Sequence, residues 1–197
     1  MARTIAKDHG QKRAQILKSA AKVFADQGFD RASMAMLASE CGISKANIYH
    51  YYDSKDALLF DLLDNYLSTL RDRVCGVRSD GPPERALRET VLEILLAYQG
   101  ADDEHRVQSA GLGALPEDQQ KVLKSYQRDM VQHLSGILAR VSPSTFAGNP
   151  AKLRAATMSV FGMLNWFYMW NTGADEAARR EYADLVSNLT LGGLKGL

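Results

Sequence analysis

The sequence predicts an all-α protein, and three observations predict it. Apolar residues recur at three- and four-residue spacing along nearly the whole 197-residue chain, and no strand-like alternation persists. Glycine, serine and proline fall where that spacing lapses, as helix caps and breakers do. Apolar residues make up 46% of the chain, enough for a sizeable core and too many for wholesale disorder.

From Gln11 to Gln27, Ile16, Leu17, Ala20, Ala21, Val23 and Phe24 form one stripe, which Gly28 ends as a C-cap. Residues 29–32 connect to Ser33, an N-cap for a short helix to about Cys41. Gly42 breaks that helix, and Ser44 caps a second short one through about Tyr51. Ser54 opens a long helix, SKDALLFDLLDNYLSTLRDRV, with leucines on one face. Ser79-Asp80-Gly81-Pro82-Pro83 is the clearest break, with Pro83 in the first turn of a helix to about Tyr98. Residues 99–104 read as a loop, and 106–115 stay open because of Gly111 and Gly113. A helix over 117–141 follows, then a loop holding Pro143, Gly148 and Pro150. Helices over roughly 151–172 and 175–191 close the chain, with LGGLKGL as a frayed tail.

The stretch CGISKANIYHYYDSK, residues 41–55, crowds three tyrosines and a histidine between lysines. Such residues suit a core, a stacking surface for single strands, or a DNA-reading helix. Two short helices separated by a glycine read as a helix-turn-helix. Ala38 is small where the helices cross, Gly42 supplies the left-handed turn residue, and Ile48 packs back on the first helix. Leu37 and Ile43 complete this small core, supported by Ile16, Ala20 and Phe24.

The second helix is then the one for the major groove. Ser44, Lys45, Ala46 and Asn47 lie nearest the base edges; Lys45 suits guanine or phosphate, and Asn47 suits adenine. Tyr49, His50 and Tyr51 carry donors for phosphate oxygens, while Tyr52 is assigned to the core. Lys55 and Ser33 stand at helix starts, where anions bind. Arg3, Lys7, Lys12 and Arg13 read as a groove-reaching arm or a solvated tail, with the tail favoured for Arg3 and Lys7. Charge agrees: residues 1–55 hold nine Lys/Arg against five Asp/Glu, a balance of +4 in a chain of net +1.

The stretch 33–58, SMAMLASECGISKANIYHYYDSKDAL, closely resembles the N-terminal signature of the TetR/AcrR transcriptional regulators. Met36, where the family more often has a polar residue, and Leu37 for the usual isoleucine depart from it without breaking the motif. The resemblance implies a helix-turn-helix DNA-binding domain over 1–53. It implies a helical effector-binding and dimerisation domain over 54–197. The expected partners are double-stranded operator DNA, a second copy of the chain and a small-molecule effector. The expected role is a repressor released by that effector.

The run AATMSVFGMLNWFYMW is apolar on all faces, so it needs burial on more than one side. Phe161 and Trp170 there, with Tyr182, Leu185, Val186 and Leu189 on the last helix, are the dimer-interface candidates. The shorter run GMLNWFYMWNTG resembles a helix of a subgroup that often responds to acyl-coenzyme A thioesters. Another apolar effector, a hydrophobic drug or signal molecule, stays open. Effector-binding candidates are Tyr98, His105, Arg106, Gln108, Asn165, Trp166 and Tyr168, with Lys121 and Lys124 as further cations for coenzyme phosphates.

Other classes are disfavoured. No glycine-rich phosphate loop, nucleophile elbow or paired metal ligands stand out, so neither catalysis nor a cofactor nor a metal is expected. Single-strand binders need a broad aromatic surface built on strands, and these tyrosines fall on a short helix. Cys41 and Cys75 form no CxxC pair and are expected to be reduced thiols. No signal-peptide pattern and no run of the ~20 apolar residues of a spanning helix are present, so a cytoplasmic location is expected.

Overall fold

The computed structural model describes residues 2–78 and 80–196, with side chains from residue 9 onward except Lys195. Arg3, Lys7 and Ser79, which the sequence reading invoked, therefore lie outside the described side chains. The described residues form α1 (Ala2–Gln27), α2 (Met34–Glu40), α3 (Lys45–Tyr51), α4 (Lys55–Cys75), α5 (Pro83–Ala97) and α6 (Asp102–Gly111). After a 3-10 turn at Leu112–Ala114 come α7 (Glu117–Val141), α8 (Pro143–Phe146), α9 (Pro150–Asn165), α10 (Phe167–Trp170) and α11 (Glu176–Gly193). No strand occurs among the described residues, so the all-α expectation holds.

Several boundaries differ from expectation. α1 begins at Ala2 rather than near Gln11, running through Gly10. One interior glycine costs about 1 kcal/mol, too little to end a helix flanked by good formers. α6 begins at Asp102, inside the expected loop, and reaches Gly111. Gly111 stands against Leu59 and Val107, where a Cβ would make ordinary van der Waals contact, so this glycine neither ends α6 nor is demanded by its packing.

The helix expected over 151–172 breaks at Trp166, which leaves Trp166 60% exposed and turns Phe167 inward at 1%. Phe167 stacks on Tyr182 at 4.7 Å and lies under the Arg179 guanidinium at 5.4 Å. That aromatic seat explains why a uniformly apolar run does not stay one helix. The expected frayed tail is helical to Gly193 and continues as a 3-10 turn with Leu194 buried.

Two compact units form. The first comprises residues to Leu67 with Asp103–Leu123, and the second comprises Ser68–Asp102 with the chain from Lys124 onward. The division falls inside α4 and α7. In the first unit, α1 packs on α2 and α2 on α3, burying Ile16, Ala20, Phe24, Leu37, Ala38 and Ile48. In the second, α5 packs along α11 and α9, burying Leu87, Val91, Ile94, Ala183 and Val186. Arg179 is buried there too, donating to the carbonyls of Leu95 at 3.1 Å and Ala174 at 3.2 Å. Burial pushes its pKa down from the usual arginine value, and Asp102 at 3.9 Å opposes that shift.

Candidate nucleic-acid interface

The place of α3 is set by a glycine turn, a backbone hydrogen bond and serine caps on α2 and α3. Gly42 adopts φ 63°, a region that costs most residues energy and glycine none. The amide of Ile43 returns to the carbonyl of Ala38 at 3.0 Å, closing the turn between α2 and α3. Ser44 Oγ accepts from the Asn47 amide at 3.1 Å, and Ser33 Oγ accepts from the Met36 amide at 3.3 Å. Each hydroxyl satisfies an orphan helix N–H and still has a proton to donate.

Ile48 is fully buried, and its burial orients the rest of α3. At 100° per residue, anchoring position 48 turns Ala46, Asn47, Tyr49 and His50 away from the bundle, and Lys45, in the first turn on the same side as Ile48, is exposed as well. They make one surface carrying an ammonium, an amide, a phenol and an imidazole. Tyr51 is half-buried, stacked on His9 at 4.9 Å with His50 edge-on at 5.9 Å. α1 therefore braces the end of α3, through a residue that lies ahead of the helix start expected at Gln11.

Tyr52 is buried, as expected. Its hydroxyl donates to Asp61 Oδ2 at 2.5 Å, and Arg13 Nε donates to the same oxygen at 2.9 Å. Burial and then the carboxylate raise the Tyr52 phenol well above its ordinary pKa, and the bond to Asp61 raises Arg13 as well. Arg13 is thus no groove-reaching arm. It ties α1 to α4 at the exit of the reading helix. Sequence reasoning missed this triad, although an aspartate inside the leucine-rich DALLFDLL was a signal for it.

Lys55 also departs from expectation. Its ammonium donates to the carbonyls of Phe29 at 2.7 Å, Asp30 at 3.3 Å and Ala32 at 3.1 Å, and stands 4.3 Å from the Phe29 ring centre. An ammonium has three donors, and three carbonyls occupy them. Lys55 clamps the α1–α2 connector and is not available to a phosphate.

The effector candidates fall in different units. Tyr98 and Asn165 are joined by a 2.7 Å hydrogen bond in the second unit, where Tyr168 is half-buried and Trp166 exposed. His105, Arg106 and Gln108 belong to the first. Buried His105 lies 3.1 Å from the Tyr66 hydroxyl, and Arg106 pairs with Asp26 at 2.9 Å and Asp103 at 3.2 Å. Among the interface candidates, Phe161 and Val186 are buried in the chain's own core, and half-buried Tyr182 donates to the Met163 carbonyl. Trp170, Leu185 and Leu189 are exposed, alongside Met158, Trp166 and Met169. Both cysteines are free thiols, and burial pushes each above its usual pKa. Among the described residues, no cluster of His, Cys, Asp and Glu could hold a metal, and no helix is long and apolar enough to cross a membrane.

Residues 16–62 match the model of the bacterial regulatory proteins of the tetR family. Residues 80–194, more than half of the chain, match the tetracyclin repressor-like C-terminal domain. The chain belongs to the TetR family. Members of this family are transcriptional regulators rather than enzymes. A TetR-family regulator from Bordetella parapertussis is 33% identical, with a TM-score of 0.85 over 94% of this chain and 96% of that one.

A 94-residue match with the repressor KstR2 of Rhodococcus jostii is 27% identical and covers 48% of this chain and 45% of that one. An 85-residue match with the regulator YuxN of Bacillus subtilis is 33% identical, over 43% of this chain and 29% of that protein. The chain thus spans less than half the length of the curated regulators it matches. The structure of AibR in complex with isovaleryl coenzyme A and operator DNA shares the fold, at 22% identity and a TM-score of 0.76 over 90% of this chain and 97% of that one.

Proposed function

We propose that this TetR-family regulator is a cytoplasmic, homodimeric repressor that binds operator duplex through α3 and leaves it when a small apolar effector binds. The observation that carries the DNA reading is the division of α3. Ile48 is sunk completely in the bundle, and Lys45, Ala46, Asn47, Tyr49 and His50 stand exposed around it. Lys45 and Asn47 address base edges, Tyr49, His50, Ser33 and Ser44 address phosphates, and Tyr51 sets the helix end. Residues 1–53 are the DNA-binding domain in this reading, with the effector and the dimer contact in 54–197.

A seven-residue reading helix makes few contacts, so two copies must engage half-sites about 34–36 Å apart or a multiple of that. Apolar side chains exposed on α9, α10 and α11 support the dimer, because Trp170, Leu185 and Leu189 are each more than half exposed in a single chain. An effector needs only different affinities for the DNA-competent and incompetent states. The Tyr98–Asn165 pair in the second unit, with Tyr168 close to it in sequence, is its proposed site, and the isovaleryl coenzyme A in the AibR complex makes acyl-coenzyme A thioesters the first class to test.

Fluorescence anisotropy with duplex DNA from upstream of the gene, across salt and with a panel of thioesters, tests the reading. Specific binding released by one thioester supports repressor and ligand class together. Specific binding that no thioester disturbs removes the thioester. Failure to prefer any duplex in a genome-wide site selection removes the repressor.

A further inference from the structure

A groove of about 610 Å³ lies within the first unit, away from the reading face of α3. One wall is the end of α1 and the connector after it, with Phe24, Phe29 and Arg31. The other is one face of α6, with Arg106, Val107 and Ala110. The room exists because Gly28, Gly111 and Ala114 also line it and carry little or no side chain.

Its chemistry is uneven in a useful way. The apolar floor is ordered: the Phe24 and Phe29 rings stand 5.5 Å apart, and Lys55 pins Phe29. Arg106 is held by its Nη2 to Asp26 and Asp103, yet its Nε is buried and has no partner. A buried guanidinium N–H without an acceptor is costly and rare in folded proteins. Arg31 is exposed, and its Nε donates to the Gln27 carbonyl at 2.8 Å. A solvated guanidinium end therefore lines the groove together with Phe29. Asp26, Asp30 and Asp103 around the same arginines oppose a polyanion.

We propose that this groove binds a small apolar monocarboxylate, its carboxylate on Arg31 and Arg106 and its hydrocarbon body on Phe24, Phe29 and Val107. Such a ligand offers the exposed end of Arg31 the paired acceptors that guanidinium groups prefer, and it brings one negative charge rather than several. It joins the connector to α6. The connector leads directly into Ser33, the cap of α2, and Lys55 already grips three of its carbonyls. Occupancy thus stiffens the segment that positions the reading helices, a consequence that rests on the DNA-binding reading; the site itself does not.

The test is titration calorimetry of the full chain with phenylacetate and with octanoate. Phenylacetamide and phenethylamine serve as neutral and cationic controls. Saturable binding of either carboxylate, weakened about tenfold or more in Arg31→Gln as one charge-assisted contact is lost, is the expected result. Ala110→Trp, which fills the groove, abolishes it, and both variants keep the wild-type melting temperature. The proposal is overturned if neither carboxylate binds, if the two controls bind as well, or if binding survives both variants. Duplex binding is measured in parallel. A protein that binds duplex but neither carboxylate loses the groove and keeps the repressor, and the converse result loses the repressor and keeps the groove.

Discussion

Replacing Lys55 by methionine separates two roles that a lysine beside a reading helix can play. Methionine keeps an unbranched apolar stem and removes the ammonium. Three charge-assisted hydrogen bonds disappear, to the carbonyls of Phe29, Asp30 and Ala32, together with the cation over Phe29. Bonds to charged groups contribute about 1.5–3 kcal/mol each when well shielded. Lys55 is half-buried, so water takes over much of what is lost and the net cost is about 2 kcal/mol. For a chain of this size that lowers the melting temperature by roughly 4–8 °C.

The same substitution leaves the salt dependence of DNA binding intact. Each lysine on a phosphate adds about 0.9 to the slope of log affinity against log salt, and a lysine that clamps a loop adds nothing. The assay pairs calorimetric melting, at fixed protein concentration, with operator anisotropy between low and moderate salt. A loss of melting temperature with an unchanged slope is expected. An unchanged melting temperature with a slope reduced by about one would refute the clamp and restore Lys55 to the phosphate contacts.

The remaining predictions concern the other face of the same logic. Lys45→Ala weakens operator binding, and Tyr49→Phe weakens it less, without changing the melting temperature; if Lys45 meets a phosphate, the salt slope falls by about 0.9. Unchanged affinity in both variants would take these residues off the contact surface. Leu185→Arg with Leu189→Arg places two charges on an exposed apolar face and turns the dimer into monomers by sedimentation; a dimer that persists places the interface elsewhere. Stability falls as pH drops below about 6.5, because burial and Arg140 hold His133 below its ordinary pKa and the unfolded chain takes up the proton first. His133→Gln flattens that loss in urea midpoints between pH 7.5 and 5, and an identical loss in the variant would exclude His133 as its source.

Local signals were legible where a residue's role depends on its neighbours in sequence. Gly28 and Gly42 end helices because the chain must turn within one residue, and both adopt positive φ. Ser33 and Ser44 cap because the amide they satisfy is three positions on. The bounds of α7, at Glu117 and Val141, follow from spacing alone. Ala38 and Ile48 at the α2–α3 crossing follow from it too, since a helix-turn-helix is a local fold.

Roles decided by distant partners were not legible. Lys55 reads as a cation at a helix start, and only the fold brings the Phe29–Ala32 carbonyls to it from more than twenty positions away. Arg13 reads as part of a basic arm, and only the packing of α1 against α4 delivers Asp61 across 48 positions. Phe161 and Val186 look as available for an interface as Leu185 and Leu189, because apolarity does not say which core a side chain joins. By itself the sequence determined most of the helices, the serine caps and the helix-turn-helix, consequences of backbone geometry and short-range periodicity, and its motif over 33–58 carried the family resemblance. Tertiary structure decided which charges are already paired and which apolar faces are already covered, because electrostatic pairing and burial depend on separations in space that spacing along the chain does not encode.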